Sequence, residues 1–150
     1  MGYVKTIRKK IGNDPLFMPC VAAIIYKDKK ILLQKRTDFK LWGLHGGSME
    51  LGETFLDTLT REVKEETNLT PIDISVFNVY AGKDFVLHYP NNDVSYLVIQ
   101  SFIITEVKGD MKAQKSELSE LKWFKLNEIP WDKLVPQDKK IIEDFLQTKN

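Results

Sequence analysis

Cysteine is almost missing from this chain: Cys20 is the only one in 150 residues, and the histidines number two, His45 and His88. A lone cysteine forms no intrachain disulfide, so nothing here asks for an oxidising compartment, and Cys20 reads as a small buried hydrophobe rather than a nucleophile. Two isolated histidines do not suggest a zinc site, which needs three or four convergent ligands, and no Ser-His-Asp arrangement follows from them. An excess of one charge is missing too. The 22 Lys and Arg nearly balance 21 Asp and Glu, for a net charge of +1, whereas a dedicated nucleic-acid binder shows a clearly basic surface.

The chain fits one domain, long enough to bury a core without disulfides or a structural metal. Its 43% hydrophobic and 29% charged content is that of a soluble globular protein. The start "KTIRKKIGNDPLFMPCVAAIIY" superficially resembles a secretory signal, but Asp14, Pro15 and Pro19 interrupt it and no small-residue cleavage site follows. The apolar run is also far too short to span a membrane. The expectation is a cytoplasmic protein.

Tyr3, Ile7 and Ile11 recur every four residues among Lys5, Arg8, Lys9 and Lys10, as in a short amphipathic helix or an ordered basic arm. We take residues 1–17 as this arm and 18–150 as the domain proper. "FMPCVAAIIYK" and "KILLQKR" read as a hairpin, and Thr37 to Leu44 as a loop. "IDISVFNVYAG", "DFVLHYP", "VSYLVIQSFIITEV" and "LKWFKL" read as further strands and "GDMKAQKSELSE" as a polar loop. "PQDKKIIEDFLQT" reads as a closing helix with Pro136 near its start. There is no internal repeat and no second-domain linker.

What the chain does have is "GGSMELGETFLDTLTREVKEETNL", Gly46 to Leu69. It holds six carboxylates (Glu50, Glu53, Asp57, Glu62, Glu65, Glu66) and two cations (Arg61, Lys64). A helix should start near Thr54, with Asp57 three residues on in a capping-box position, and end at Asn68, which tolerates a left-handed backbone. At about 100° per residue, Phe55, Leu59, Val63 and Leu56 form a core-facing stripe. Glu62 and Glu66 fall at the edge of that stripe with Glu65 beside them, while Arg61 faces away from the cluster's centre. Three carboxylates at i, i+3 and i+4 repel one another and are partly desolvated. A hard divalent cation would complete them; glutamates bonded to backbone or lysine are the bland alternative. Gly47 and Gly52 are spaced as in a phosphate-binding loop, but Glu53 stands where that motif needs Lys, so phosphates would be reached through metal.

The stretch resembles the Nudix box: Gly47, Glu53, Arg61-Glu62-Val63, Glu65-Glu66 and Leu69 stand at the family's spacing. Asn68 replaces the usual Gly, and His45 in "WGLHGG" replaces the usual Pro, which bears on that loop's rigidity. The resemblance extends from about Met18 to Phe145 and implies an α/β/α sandwich around a mixed sheet. It also implies Mg²⁺- or Mn²⁺-dependent hydrolysis of a pyrophosphate bond in a nucleoside diphosphate linked to another moiety: a nucleotide sugar, ADP-ribose, a dinucleoside polyphosphate or a (d)NTP. Carried over by position, Glu62, Glu65 and Glu66 would bind metal, with one of them helping to activate water, and the Gly46 carbonyl could add a ligand. Arg61 and Glu53 would orient the cluster. Glu120 and Glu117 are the candidates for an acidic residue outside the box.

Phe39, Trp42, Phe85, His88, Tyr89 and Tyr96 are candidates for stacking on a base, and Lys83–Asp93 for a specificity loop. A small nucleotide-derived substrate is expected over nucleic acid, though capped RNA ends also fall to this box, and the arm could swap or pack across a homodimer. Two other readings share the fold. One is a non-hydrolytic nucleotide-sensing module, which would not need all three glutamates. The other is an isoprenoid diphosphate isomerase, which would need a catalytic cysteine better placed than Cys20.

Overall fold

The hairpin expected near the start becomes the centre of the sheet. In the computed structural model, which describes residues 2–37, 40–113 and 118–149, β1 (Leu16–Lys27) turns through Asp28 and Lys29 into β2 (Lys30–Arg36). Both turn residues have positive φ, 52° and 60°, as a two-residue hairpin turn matched to strand twist requires. The pairing Tyr26↔Ile31 and Lys27↔Lys30 is antiparallel. Ahead of it lies α1 (Tyr3–Ile11). After it come β3 (Trp42–Gly43), β4 (His45–Ser48), α2 (Phe55–Thr67), β5 (Thr70–Tyr80), β6 (Val86–His88), β7 (Val94–Lys108), β8 (Leu118–Lys125) and α3 (Pro136–Gln147). The Thr37–Leu44 segment read as a loop thus contains the short β3, and the polar loop after β7 gives way to strand already at Leu118.

The sheet is mixed. β7 runs parallel to β1 from Leu16↔Ser95 to Ile25↔Ile104, and β4 flanks β1 on its other side, antiparallel. β5 and β6 both pair antiparallel with β7, while β3 and β8 pair with β2. Alternation along β1 sends Cys20, Ala22 and Ile24 into one buried cluster and Val21, Ala23 and Ile25 into another, the signature of a strand buried on both faces. The first cluster is closed by Ile141, Ile142 and Phe145 of α3, the second by Leu59 and Val63 of α2. This is the expected α/β/α sandwich.

The capping residues behave as their chemistry dictates. Thr54 Oγ1 accepts from the Asp57 N–H at 3.1 Å, and Asp57 Oδ2 accepts from the Thr54 N–H at 3.0 Å, so aspartate serves in the box where glutamate is usual. Asn68 ends the helix at φ 66° and donates from Nδ2 to the Asp110 carbonyl at 2.8 Å. The arm packs on its own chain. The Tyr3 N–H donates to Glu50 Oε1 at 2.7 Å, and Arg8 Nη2 donates to the Val94 carbonyl at 2.7 Å.

Phe145 is fully buried and meets Tyr26 and Phe77 edge-on at centroid distances of 5.1 and 6.4 Å. Phe145→Ala should therefore cost about 3–5 kcal/mol, read as a lower urea midpoint at unchanged m-value.

Candidate active site

The acidic stretch is assembled around one guanidinium. Arg61 Nε donates to Glu53 Oε2 at 2.7 Å and Nη2 to Glu53 Oε1 at 2.9 Å, a bidentate clasp. Its Nη1 donates to Glu62 Oε1 at 2.8 Å and lies 3.5 Å from Glu65 Oε2, while Nη2 also reaches the Ser48 carbonyl at 3.1 Å. The helical projection had turned Arg61 away from the cluster. A long side chain lying back along the helix surface reaches what its Cα direction does not.

Glu53 is held further by Thr58 Oγ1 at 3.0 Å and the Glu50 N–H at 2.8 Å. Arg61 and these donors keep its carboxyl well down, at about 2. Glu62 goes the other way. Burial, then the charge of Glu66, push it up to about 7 although Arg61 opposes the shift. Glu66 leans on the strand instead, accepting from the Gly46 N–H at 3.1 Å, with His45 Nδ1 at 3.7 Å from the same oxygen. Glu65 is half exposed.

The paired glycines are there for space. A Cβ on Gly46 would run into the Val21 carbonyl oxygen, and one on Gly47 would lie 2.5 Å from Glu62 Oε1. Bare backbone at Gly47 lets α2 press Glu62 onto β4, and at Gly46 it lets β4 lie close along β1. Two residues acquire their meaning only in the fold. His45 is buried, with Nε2 3.1 Å from the Leu32 carbonyl; a carbonyl only accepts, so Nε2 carries the proton. That bond fixes the approach loop where the family usually carries proline. Asp138, in the first turn of α3, accepts from the Leu44 N–H at 2.9 Å, and burial pushes its carboxyl up to about 7. In the sequence it was one more acidic residue near a helix start, a common surface feature.

Of the six suggested stacking residues, Trp42 and Phe85 are buried core. Tyr89 and Tyr96 are more than a third exposed and His88 is exposed. Phe39 and Glu117 lie outside the described residues. Glu120 is exposed on β8 opposite Lys35; that strand pairs with β2, whereas α2 packs its carboxylates over β4 and β1, so the two are not brought together. Burial pushes the Cys20 thiol up to about 12, which leaves almost no thiolate for isomerase-type chemistry near neutral pH.

Among the described residues no three acidic, histidine or cysteine groups are gathered into a ready metal cage. Glu62 is turned onto Arg61 and Glu66 onto the Gly46 N–H. The donor set still fits a hard divalent ion: carboxylate oxygens on adjacent helical turns, one of them partly buried and resisting ionisation through that burial and the like charge of Glu66 beside it.

Comparison with known proteins gives the following. A family model, the NUDIX domain, matches residues 16–145. An ADP-ribose pyrophosphatase from Methanocaldococcus jannaschii is 40% identical over 156 residues, covering 99% of this chain and 87% of that protein. A NAD-capped RNA hydrolase, NudC, from Vibrio atlanticus is 30% identical over 77% of this chain but only 40% of its own length. The NUDIX domain of Shewanella oneidensis NrtR, solved with ADP ribose, superposes with a TM-score of 0.70 at 20% identity, each chain covered in full.

Two outcomes follow from this geometry. Gly47→Ala should keep the fold but displace the Glu62 carboxylate, lowering hydrolysis roughly 10–100-fold, the range for losing a supporting contact. Glu62 holds its proton more tightly folded, at about 7, than unfolded, near 4.5. Its contribution therefore favours the folded state below pH 4.5 and is lost as pH rises through about 7. In chelator, the melting temperature of the wild type should fall relative to that of Glu62→Gln across that window; parallel curves would remove the assignment.

Proposed function

The chain belongs to the Nudix family of pyrophosphohydrolases, and on that premise we propose that it hydrolyses ADP-ribose, or a close nucleoside diphosphate derivative, with Mg²⁺ or Mn²⁺. The observation that carries the reading is the set of Glu62, Glu65 and Glu66 on one end of α2, with Glu62 held against Gly47 and Glu66 bonded to the Gly46 N–H. Support for ADP-ribose comes from the Methanocaldococcus jannaschii relative, whose similarity runs through nearly the whole chain.

Glu62, Glu66 and Glu65 would hold the ion, with the Gly46 carbonyl as a further donor. Once bound, such an ion supplies charge neutralisation on the phosphates and a lowered pKa for coordinated water. Arg61 and Glu53 position the cluster: the clasp keeps Glu53 ionised and fixes which way the Glu62 and Glu65 oxygens face. Glu65, the most exposed of the three, is the better placed to take a proton from water entering from solvent. Hydrolysis adds the oxygen of water to one phosphorus and breaks its bond to the bridging oxygen, giving two phosphomonoesters from ADP-ribose.

We place the reaction in the cytoplasm, on the strength of the single cysteine. Among the described residues no helix is long and apolar enough to cross a membrane. The sensing-module reading is separated from hydrolysis by the same experiment. Product release is followed over ADP-ribose, nucleotide sugars, dinucleoside polyphosphates, (d)NTPs and NAD-capped RNA, with Mg²⁺, Mn²⁺ or chelator. We expect metal-dependent turnover with ADP-ribose foremost, and Glu66→Gln should lose more than the ~10–100-fold that a supporting residue costs. Saturable ADP-ribose binding without turnover in either metal would sink the hydrolase reading in favour of the sensor.

A further inference from the structure

His45 stands where the box's usual pattern has proline, and its ring is wholly buried. Nε2 carries the proton and donates to the Leu32 carbonyl, which leaves Nδ1 with a bare lone pair. Among the described residues only two buried side-chain polar atoms lack a hydrogen-bond partner, Gln34 Oε1 and His45 Nδ1. The second stands 3.7 Å from Glu66 Oε2. Two acceptors therefore face each other inside the protein, and no described group donates to Nδ1.

The two groups are held firmly in that position. α2 presses on the sheet through the half that carries the carboxylates: Leu59 and Val63 are fully buried, whereas Phe55 and Leu56, expected in the same stripe, are 37% and 51% exposed. The helix covers the sheet where Ala23 and Phe102 are buried and stops short of Phe17, Val76 and Val79, which are exposed. His45 pairs with Ala23, under the covered end, and Asp138 ties the preceding Leu44 to α3. The ring cannot swing to another partner without giving up its bond to Leu32. A proton shared with Glu66 does not account for the arrangement, because 3.7 Å exceeds the ~3.2 Å reach of an N–H···O bond. A divalent ion does: at ~2.1 Å from each donor it meets both atoms across that gap. A ligating histidine characteristically gives its second nitrogen's proton to a carbonyl or carboxylate, which fixes the tautomer and aims the first nitrogen at the metal. His45 is disposed in just that way between Leu32 and Glu66.

We propose that His45 Nδ1 is a ligand of the divalent ion that Glu66 holds, a nitrogen donor added to the carboxylate oxygens of the box. This rests on Glu62, Glu65 and Glu66 holding a metal at all. Its consequence is the choice of ion. Oxygen donors alone suit Mg²⁺ as well as Mn²⁺, whereas an imidazole nitrogen favours the first-row transition ions, in an order that rises from Mn²⁺ to Co²⁺. The site should therefore take Mn²⁺ ahead of Mg²⁺, and Co²⁺ more tightly still.

The test is pulsed electron paramagnetic resonance of Mn²⁺ added to the full chain, grown with ordinary or ¹⁵N-labelled histidine. The label reports on two residues only, His45 and His88, and His88 is exposed on β6. The wild type should show the coupling of a directly bound nitrogen, changing from the ¹⁴N to the ¹⁵N pattern with the label. It should persist in His88→Gln and vanish in His45→Gln, whose amide can still donate to the Leu32 carbonyl. Calorimetric titration of His45→Gln should find Mn²⁺ and Co²⁺ affinity lowered ~10-fold or more, with Mg²⁺ affinity changed far less. Bound Mn²⁺ with no histidine coupling, or a coupling lost in His88→Gln, would overturn the proposal while leaving the carboxylate site standing. Mn²⁺ that does not bind would overturn it together with the metal-dependent hydrolase reading. If His45→Gln fails to fold, the labelled wild type beside labelled His88→Gln decides alone.

Discussion

Three carboxylates can share one end of α2 only because Arg61 stands between them and the loop that precedes the helix. Its guanidinium binds Glu53 through two nitrogens and also touches Glu62, Glu65 and the Ser48 carbonyl. A lysine could not do this, since a point charge on a flexible stem lacks the planar fork that binds bidentately. The consequence is a steep electrostatic gradient over a few residues. Glu53 is held at about 2 and Glu62 lifted to about 7, although both are glutamates touching the same arginine. The difference lies in the surroundings: Glu62 is pressed against bare backbone beside the like charge of Glu66, while Glu53 is surrounded by donors.

Everything behind this cluster serves to hold α2 at that distance from β4. Gly47 leaves the space that Glu62 occupies, and Gly46 lets β4 lie against the Val21 carbonyl of β1. His45 pins the strand to the Leu32 carbonyl on one side of the glycines, and Asp138 pins Leu44 from α3. The two helices on opposite faces of the sheet are therefore linked through four residues of backbone, from Leu44 to Gly47. The arm joins in through Glu50, which accepts from Tyr3 while its own N–H donates to Glu53. The N-terminal helix is thus three hydrogen bonds from the guanidinium that organises the site.

The sheet is covered unequally. The α3 face carries a continuous core from Cys20 and Ile24 to Phe145, whereas α2 spans only half of its own face. Its length is set by the spacing of its end signals, Thr54 and Asn68, and its position by the need to bring Glu62 and Glu66 to the β4 edge. A helix placed for chemistry at one edge leaves apolar strand residues bare at the other.

Much of this was legible in the chain itself. A polar turn between two apolar segments located the central hairpin, the capping residues bounded α2, and the spacing of Glu62, Glu65 and Glu66 put them on one side of it, because these depend on neighbours within a few residues. Helical angle alone misplaced Arg61, because angle carries no information about the reach of a side chain. It also treated Phe55 and Leu56 as core, because a stripe records what a helix offers and not how far the sheet beneath it extends. The work of Asp138, His45 and Glu50 had no local signal at all. Each acts on backbone brought to it from elsewhere in the chain, Asp138 across 94 residues of sequence, and such contacts exist only once the strands have paired and the helices have closed on them.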